Sequence, residues 1–259
     1  MVEKILLRKE KVNLAVSIAE EMLKNGGEVY RVDDTVKRIL AFYGFKEYHV
    51  YIVSNGIFVT VDESGDNPIS CVRDVPSWSV NLEKIAKLNN LSRDVCQGKC
   101  PVENAYSQLE DIRNMRQRSE LTLRLATGVG SAAFCFLFGG RGFDMALAFV
   151  VGFILKLFLS MAESRQVSKF IRHIFGSLLV SVLAAVSHMI FPVIQVDKVI
   201  IAGILILVPG VALTTSIRDF FGGDYLSGSI HLIDALLTAV CIATGVGVAM
   251  KACAVLGIV

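Results

Sequence analysis

The chain has 259 residues, 53% of them hydrophobic, and its 26 Lys+Arg against 24 Asp+Glu leave a net charge of +2 at a mean hydropathy of +0.57. Near-neutrality excludes nucleic-acid binding through a basic stripe, because few counterions would be released from phosphates, and the apolar content excludes disorder. The averages conceal a division after Ser119: 17 basic and 17 acidic residues fall in the first 119 positions, but only 9 and 7 in the other 140. Composition thus predicts a soluble domain over 1–119 and a transmembrane domain over 120–259.

In chain order, Val12, Ala15, Val16, Ala19, Met22 and Leu23 recur at helical spacing, and Asn25-Gly26-Gly27 stops the helix. A second helix runs through Val32, Val36, Ile39 and Leu40 to Gly44. The period then becomes two over 48–53 and 57–61, with the hairpin signal Asn55-Gly56 between, and a turn over 63–67 leads to a third strand over 69–75. After Pro76 the helical period returns in Leu82, Ile85, Leu88 and Leu91, and Pro101 can open a last helix as its first residue. The order ααβββαα describes an α+β cytoplasmic domain.

One cluster in this domain draws notice: Gly26, Gly27, Glu28 and Arg31, with Asp33 and Asp34 following. Glu28 and Arg31 at a helix junction could bind a ligand or gate the membrane part. A helix C-cap followed by acidic residues that favour the next helix dipole explains the same residues. The six cysteines form no CxxC pair; Cys96 and Cys100, four apart on a helix, allow a metal or redox role beside simple packing. No metal and no cofactor is expected. The charged start lacks the apolar core of a signal peptide, which predicts that the first domain stays in the cytoplasm.

Beyond Ser119, five segments suit an all-α helical transmembrane bundle: 121–138, 143–162, 174–191, 196–213 and 230–250. With the first domain inside, Arg113, Arg116, Arg118, Arg124, Arg165, Lys169, Arg172 and Arg218 lie inside, and Arg141, Lys198 and Lys251 outside. Five crossings then put the C-terminus outside.

The chemistry concentrates near the fourth segment. Pro209-Gly210 interrupts a span, which frees backbone carbonyls at membrane depth. Thr214, Thr215 and Ser216 supply hydroxyls, Arg218 a fork for a carboxylate, and Asp219, Asp224 and Asp234 acceptors for an ammonium or a proton. Ser227, Gly228 and His231 complete a candidate substrate or proton pathway of the broken-helix kind. An inner loop accounts for Arg218 and Gly222-Gly223 equally well, but not for Pro209-Gly210 in a span or for His231 and Asp234 in the next apolar run.

Asn25-Gly26-Gly27-Glu28-Val29-Tyr30-Arg31-Val32-Asp33-Asp34-Thr35, Asn55-Gly56-Ile57-Phe58-Val59, Asn81-Leu82-Glu83-Lys84-Ile85, and Phe138-Gly139-Gly140 with Asp144 follow in order. They are joined by Leu207-Val208-Pro209-Gly210, Arg218-Asp219, Gly223-Asp224-Tyr225 and Ser227-Gly228. This series resembles the larger, N-terminal half of the threonine/serine exporter family. The resemblance implies a multi-pass inner-membrane subunit that exports small amino acids, or dicarboxylic acids as in some relatives, on the proton gradient. It also implies a smaller membrane subunit as partner, with a homo-oligomer as the other way to complete the pathway. Thr214, Thr215 and His231 depart from the asparagine and arginine that the family often carries nearby. A membrane-tethered enzyme or a sensor acting through the cytoplasmic domain is the alternative; GxSxG, HExxH and P-loop motifs are absent from the sequence.

Overall fold

A computed structural model describes residues 2–62, 68–75, 80–115 and 118–258, the side chains of residues 2–5 excepted. The turn expected over 63–67, Pro76 and Arg116 lie outside the described residues. Contacts divide the chain into two compact units, Met1–Arg116 with Thr215–His231, and Gln117–Thr214 with Leu232–Val259.

The first unit follows the expected order: α1 (Val2–Lys24), α2 (Val29–Phe42), β1 (Glu47–Val53), β2 (Gly56–Asp62), β3 (Ile69–Asp74), α3 (Leu82–Cys96) and α4 (Val102–Arg113). Pro101 occupies the N-cap position of α4 rather than its first turn. The three strands form an antiparallel sheet in the order β1-β2-β3, and Asn55-Gly56 closes the first hairpin in the register Val53 opposite Gly56. Ile52, Ile57, Val59, Val61 and Cys71 point into the core, whereas Tyr51, Phe58 and Val72 line the opposite, exposed face. Helix α1 is buried on most sides, from Val12 through Leu14, Val16, Ile18 and Met22, because α2, α3, α4 and the sheet all pack on it.

Helix α2 starts at Val29, earlier than the periodicity predicts, so Asp33 and Asp34 lie past its first turn. They do not serve the helix dipole. Asp33 pairs with Lys37 at 2.6 Å and Asp34 with Arg38, the i,i+4 spacing that brings side chains together on one helix face.

Burial explains the two neighbouring thiols of this unit. Removal from water raises the pKa of Cys96, which outweighs the opposite pull of Arg38, and raises that of Cys100, helped by Asp94. The Tyr43 hydroxyl is likewise pushed up to about 12 by burial and by the Cys100 and Cys96 thiols. Thiols held neutral are poor nucleophiles and poor ligands. No group of three His, Cys, Asp or Glu suited to a metal occurs among the described residues.

The later helices are α5 (Glu120–Leu137), α6 (Gly142–Ser164), α7 (Lys169–Ile190), α8 (Val196–Ile204), α9 (Gly210–Phe221) and α10 (Tyr225–Val255). Of these, α5, α6, α7 and α10 are long and apolar enough to cross a membrane. The fourth expected span, 196–213, is not one helix. It ends at Ile204, turns through Leu205–Val208 and resumes at Gly210, because Pro209 has no amide to continue the ladder. Helix α9 then runs to Phe221, over residues that the sequence suggested as loop, and Gly223 turns the chain in the left-handed region at φ 82°.

Within the second unit, contact depends on missing side chains. A Cβ on Gly152 would strike the Ser131 hydroxyl, one on Gly203 would lie 2.6 Å from a Val180 methyl, and one on Gly245 would strike the Ser177 hydroxyl and the Ile174 carbonyl. These contacts join α6 to α5, α8 to α7 and α10 to α7, the small-residue packing that helices in lipid use. Asp144 ties two further elements: one carboxylate oxygen accepts from the Arg141 amide at 2.8 Å, the other from the Gln195 amide at 2.8 Å. Its carboxylate, 1% exposed, thereby satisfies amides at the starts of α6 and α8.

Two outcomes are expected. Gly245→Val should destabilise the folded chain in detergent by about 1–3 kcal/mol, the usual range for overpacking, read as a lowered unfolding midpoint, whereas Gly247→Val, with open space around it, should leave the midpoint unchanged. Iodoacetamide at pH 7 should modify Cys96 and Cys100 at least about tenfold more slowly in the native protein than after denaturation, as peptide mass spectrometry would report.

Candidate functional site

The turn after α1 determines where Glu28 lies. Gly26 takes φ 84°, and the Gly27 amide donates to the Met22 carbonyl at 2.7 Å. A Cβ on Gly27 would sit 2.7 Å from that same oxygen, so the turn tolerates only glycine there. Asn25 fastens the turn through its side-chain amide to the Glu21 carbonyl at 2.7 Å, and its own carbonyl accepts from the Asn81 amide at 3.0 Å. The motif Asn25-Gly26-Gly27 is thus a rigid mount.

Glu28 follows it at the N-cap of α2, yet its side chain does not cap the helix. Its carboxylate faces two guanidinium groups instead. Arg31 Nε lies 2.8 Å from one oxygen, and Arg218, in the last turn of α9, pairs with the other. Arg31 also donates to the Tyr30 hydroxyl at 2.9 Å and lies over its ring. The Glu28 side chain is 21% exposed and Arg218 54%, so water reaches the pair.

A helical hairpin presents Arg218. Ser216 donates its hydroxyl to the Gly228 carbonyl at 2.9 Å, the Asp224 amide donates to the Asp219 carbonyl at 2.9 Å, and the Phe220 ring lies against Gly228. Beside Arg218, Asp219 is turned inward: its carboxylate lies 3.0 Å from Nδ1 of His231, and both residues are buried. Ser227 accepts from the Ser54 amide at 3.2 Å, which joins the start of α10 to the hairpin turn between β1 and β2. Asp224 caps the first turn of α10 weakly, its carboxylate 3.4 Å from the Ser227 amide.

The structure therefore gathers Gly26, Gly27, Glu28, Arg31, Arg218, Asp219, Ser227, Gly228 and His231 in the first unit, with Thr215 and Asp224 on the same hairpin. Asp34 is apart from Glu28, paired with Arg38. Pro209, Gly210 and Thr214 belong to the second unit, where the Thr214 hydroxyl donates back to the Gly210 and Val211 carbonyls at 2.9 and 3.0 Å. Asp234 also belongs there, paired with Lys169 at 2.6 Å. Sequence reasoning named Ser216 for its hydroxyl and Lys169 only as an inner basic residue, and it missed Ser54, which borders the Asn55-Gly56 turn.

A family model described as "Putative threonine/serine exporter" (ThrE) matches residues 13–253, which take in every residue of both candidate clusters. The chain belongs to the threonine/serine exporter family. That family is one of transporters, not enzymes. Among its relatives, "Threonine/serine exporter" of Corynebacterium glutamicum is 23% identical over 247 residues, covering 93% of this chain and 50% of the relative. "Probable threonine/serine exporter" of Mycobacterium tuberculosis (strain ATCC 25618 / H37Rv) is 23% identical over 243 residues, covering 93% and 46%. The chain spans about half the length of these curated relatives. No solved structure matches.

The mount can be tested by itself. Gly27→Ala should lower stability by about 1–3 kcal/mol in denaturant unfolding, since backbone must shift to admit the methyl group, and Asn25→Ala should lower it by about 1 kcal/mol through the lost side-chain hydrogen bond.

Proposed function

We propose that the chain is the larger part of a proton-driven exporter of small amino acids of the threonine and serine type, or of dicarboxylic acids. The observation that carries this reading is the helix interrupted at Pro209-Gly210, whose second limb, α9, bears Arg218 within the segment matched by the family. In this reading α8 and α9 together make one broken crossing beside α5, α6, α7 and α10, with the N-terminal α+β domain in the cytoplasm and the C-terminus outside. The eight-to-three distribution of basic residues supports that orientation.

Arg218 receives the substrate carboxylate. Its guanidinium already holds a carboxylate, that of Glu28, so the substrate displaces Glu28 and the vacated carboxylate stays neutralised by Arg31. Such an exchange demands little, because a water-exposed ion pair is worth only about 0.2–1 kcal/mol. Asp219 and His231 form the proton-carrying pair, and Asp234 with Lys169 a second ionisable pair. Thr214, Thr215 and Asp224 bind the ammonium or hydroxyl end of the substrate. In this reading a smaller membrane subunit completes the transporter, with a homo-oligomer as the other way to complete it.

The test is efflux of labelled L-threonine, L-serine or succinate from proteoliposomes holding the chain with and without that second membrane portion. Arg218→Ala should abolish efflux and Arg218→Lys recover little, since a lysine cannot form the bidentate contact. Glu28→Gln should lower KM for the exported acid by about two- to fivefold, as expected for removing a competitor worth at most about 1 kcal/mol. Asp219→Asn and His231→Gln should flatten the dependence of efflux on the pH gradient. Parental efflux by Arg218→Ala would disprove the site, and full efflux by the lone chain would disprove the need for a second portion.

A further inference from the structure

A cavity of about 320 Å³ opens where α6 ends and α7 begins. Phe158, Met161 and Ala162 of α6 wall one side, Ile171 and Phe175 of α7 the other, and Arg165 and Arg172 stand among them. Arg165 and Arg172 count toward the orientation proposed above, but none of these residues takes part in the transport steps.

Three features of this place call for an anion. Ser168, the N-cap of α7, makes no side-chain cap, so the first amides of that helix have no side-chain oxygen from the N-cap to receive them. Basic residues collect at the same helix start, Lys169 and Arg172 within its first turn and Arg165 just before it. A helix N-terminus repels cations, so this placement is unfavourable unless a negative group sits there. Lys169 is matched by Asp234. Arg172 is not matched so well: its Nε is buried without a hydrogen-bond partner, and the carboxylate beside it, the exposed Glu163, is 3.6 Å from Nη1. The remaining walls are apolar, on helices long and apolar enough to cross a membrane, which suits a hydrocarbon chain and not a free hydrated ion.

We propose that this cavity binds an anionic phospholipid, its phosphate held by Arg165, Arg172 and the first amides of α7, and one acyl chain lying along Phe158, Met161 and Phe175. Arginine suits the task, because its planar fork meets two phosphate oxygens at once and its stem remains in the apolar wall. The amides at the helix start add donors in fixed positions. A zwitterionic lipid brings its own ammonium into the cluster of guanidinium groups and is disfavoured there. The inference stands apart from the transport reading, since it involves neither Arg218 nor efflux.

The experiment uses the purified full chain in a neutral detergent, titrated with phosphatidylglycerol, phosphatidylcholine or glycerol phosphate. Bound lipid is counted by native mass spectrometry, and the thermal midpoint is followed in parallel. Phosphatidylglycerol should bind at least about tenfold more tightly than either of the others, a difference of about 1.4 kcal/mol, and raise the midpoint. The double substitution Arg165→Gln/Arg172→Gln should bring phosphatidylglycerol to within about twofold of phosphatidylcholine. If that variant fails to fold, the single substitution Arg172→Gln, which removes one of the two charges, should still lose most of the preference. Glu163→Gln should keep or raise it. Equal binding of the two lipids, full preference in the arginine variants, glycerol phosphate bound as tightly as the lipid, or a co-purifying protein filling the cavity in place of lipid would each overturn the proposal.

Discussion

A peptide group in hydrocarbon has no water to bond, and that constraint shapes everything after residue 120. It makes α5, α6, α7 and α10 long and unbroken, so that the amides beyond the first turn of each are satisfied within its own helix. It gives Asp144 its place, since a buried carboxylate is tolerable when both oxygens receive backbone amides at helix starts. It also makes the break before α9 conspicuous. There the chain falls back on tight local bonds, Leu207 to Ile204 at 2.8 Å, Val208 to Leu205 at 3.3 Å and Gly210 to Val208 at 2.9 Å. Such a segment is retained at a membrane only where its polarity is of use.

Two carboxylate contacts, made through the neighbouring residues Arg218 and Asp219, lie in different surroundings. Arg218 and Glu28 meet where water reaches both, which makes their contact weak and reversible. Asp219 and His231 meet where water is nearly excluded, so their contact is shielded from the solvent that weakens the first. Adjacent positions on one helix thus separate a water-exposed contact from a shielded one. The Ser216 and Ser227 hydrogen bonds hold the hairpin that carries Arg218 and Asp219.

Much of the fold was legible because its signals are local. Asn55-Gly56 closes its hairpin, Asn25-Gly26-Gly27 ends α1, and 18 to 31 consecutive helical residues of apolar character announce α5, α6, α7 and α10. The break in the fourth span was legible from Pro209, which has no amide, but hydropathy over 196–213 does not show that the first limb already ends at Ile204. The helix dipole reading of Asp33 and Asp34 failed by a boundary error of three residues, enough to move both out of the first turn. The pairing of Glu28 with Arg218 could not be read at all. The two residues are 190 positions apart, and each had a sufficient local explanation, one as a helix boundary and the other as a basic residue near a membrane face.

Gly152, Gly203 and Gly245 each hold a helix crossing by what they lack. A glycine codon acquires a side chain with almost any change at its first two bases, so these three positions are large genetic targets. A screen for lost function would return to them often, far from any ionisable residue. Alleles of this kind would report on how the helices seat against one another, and would be misleading if taken as a map of where a solute binds.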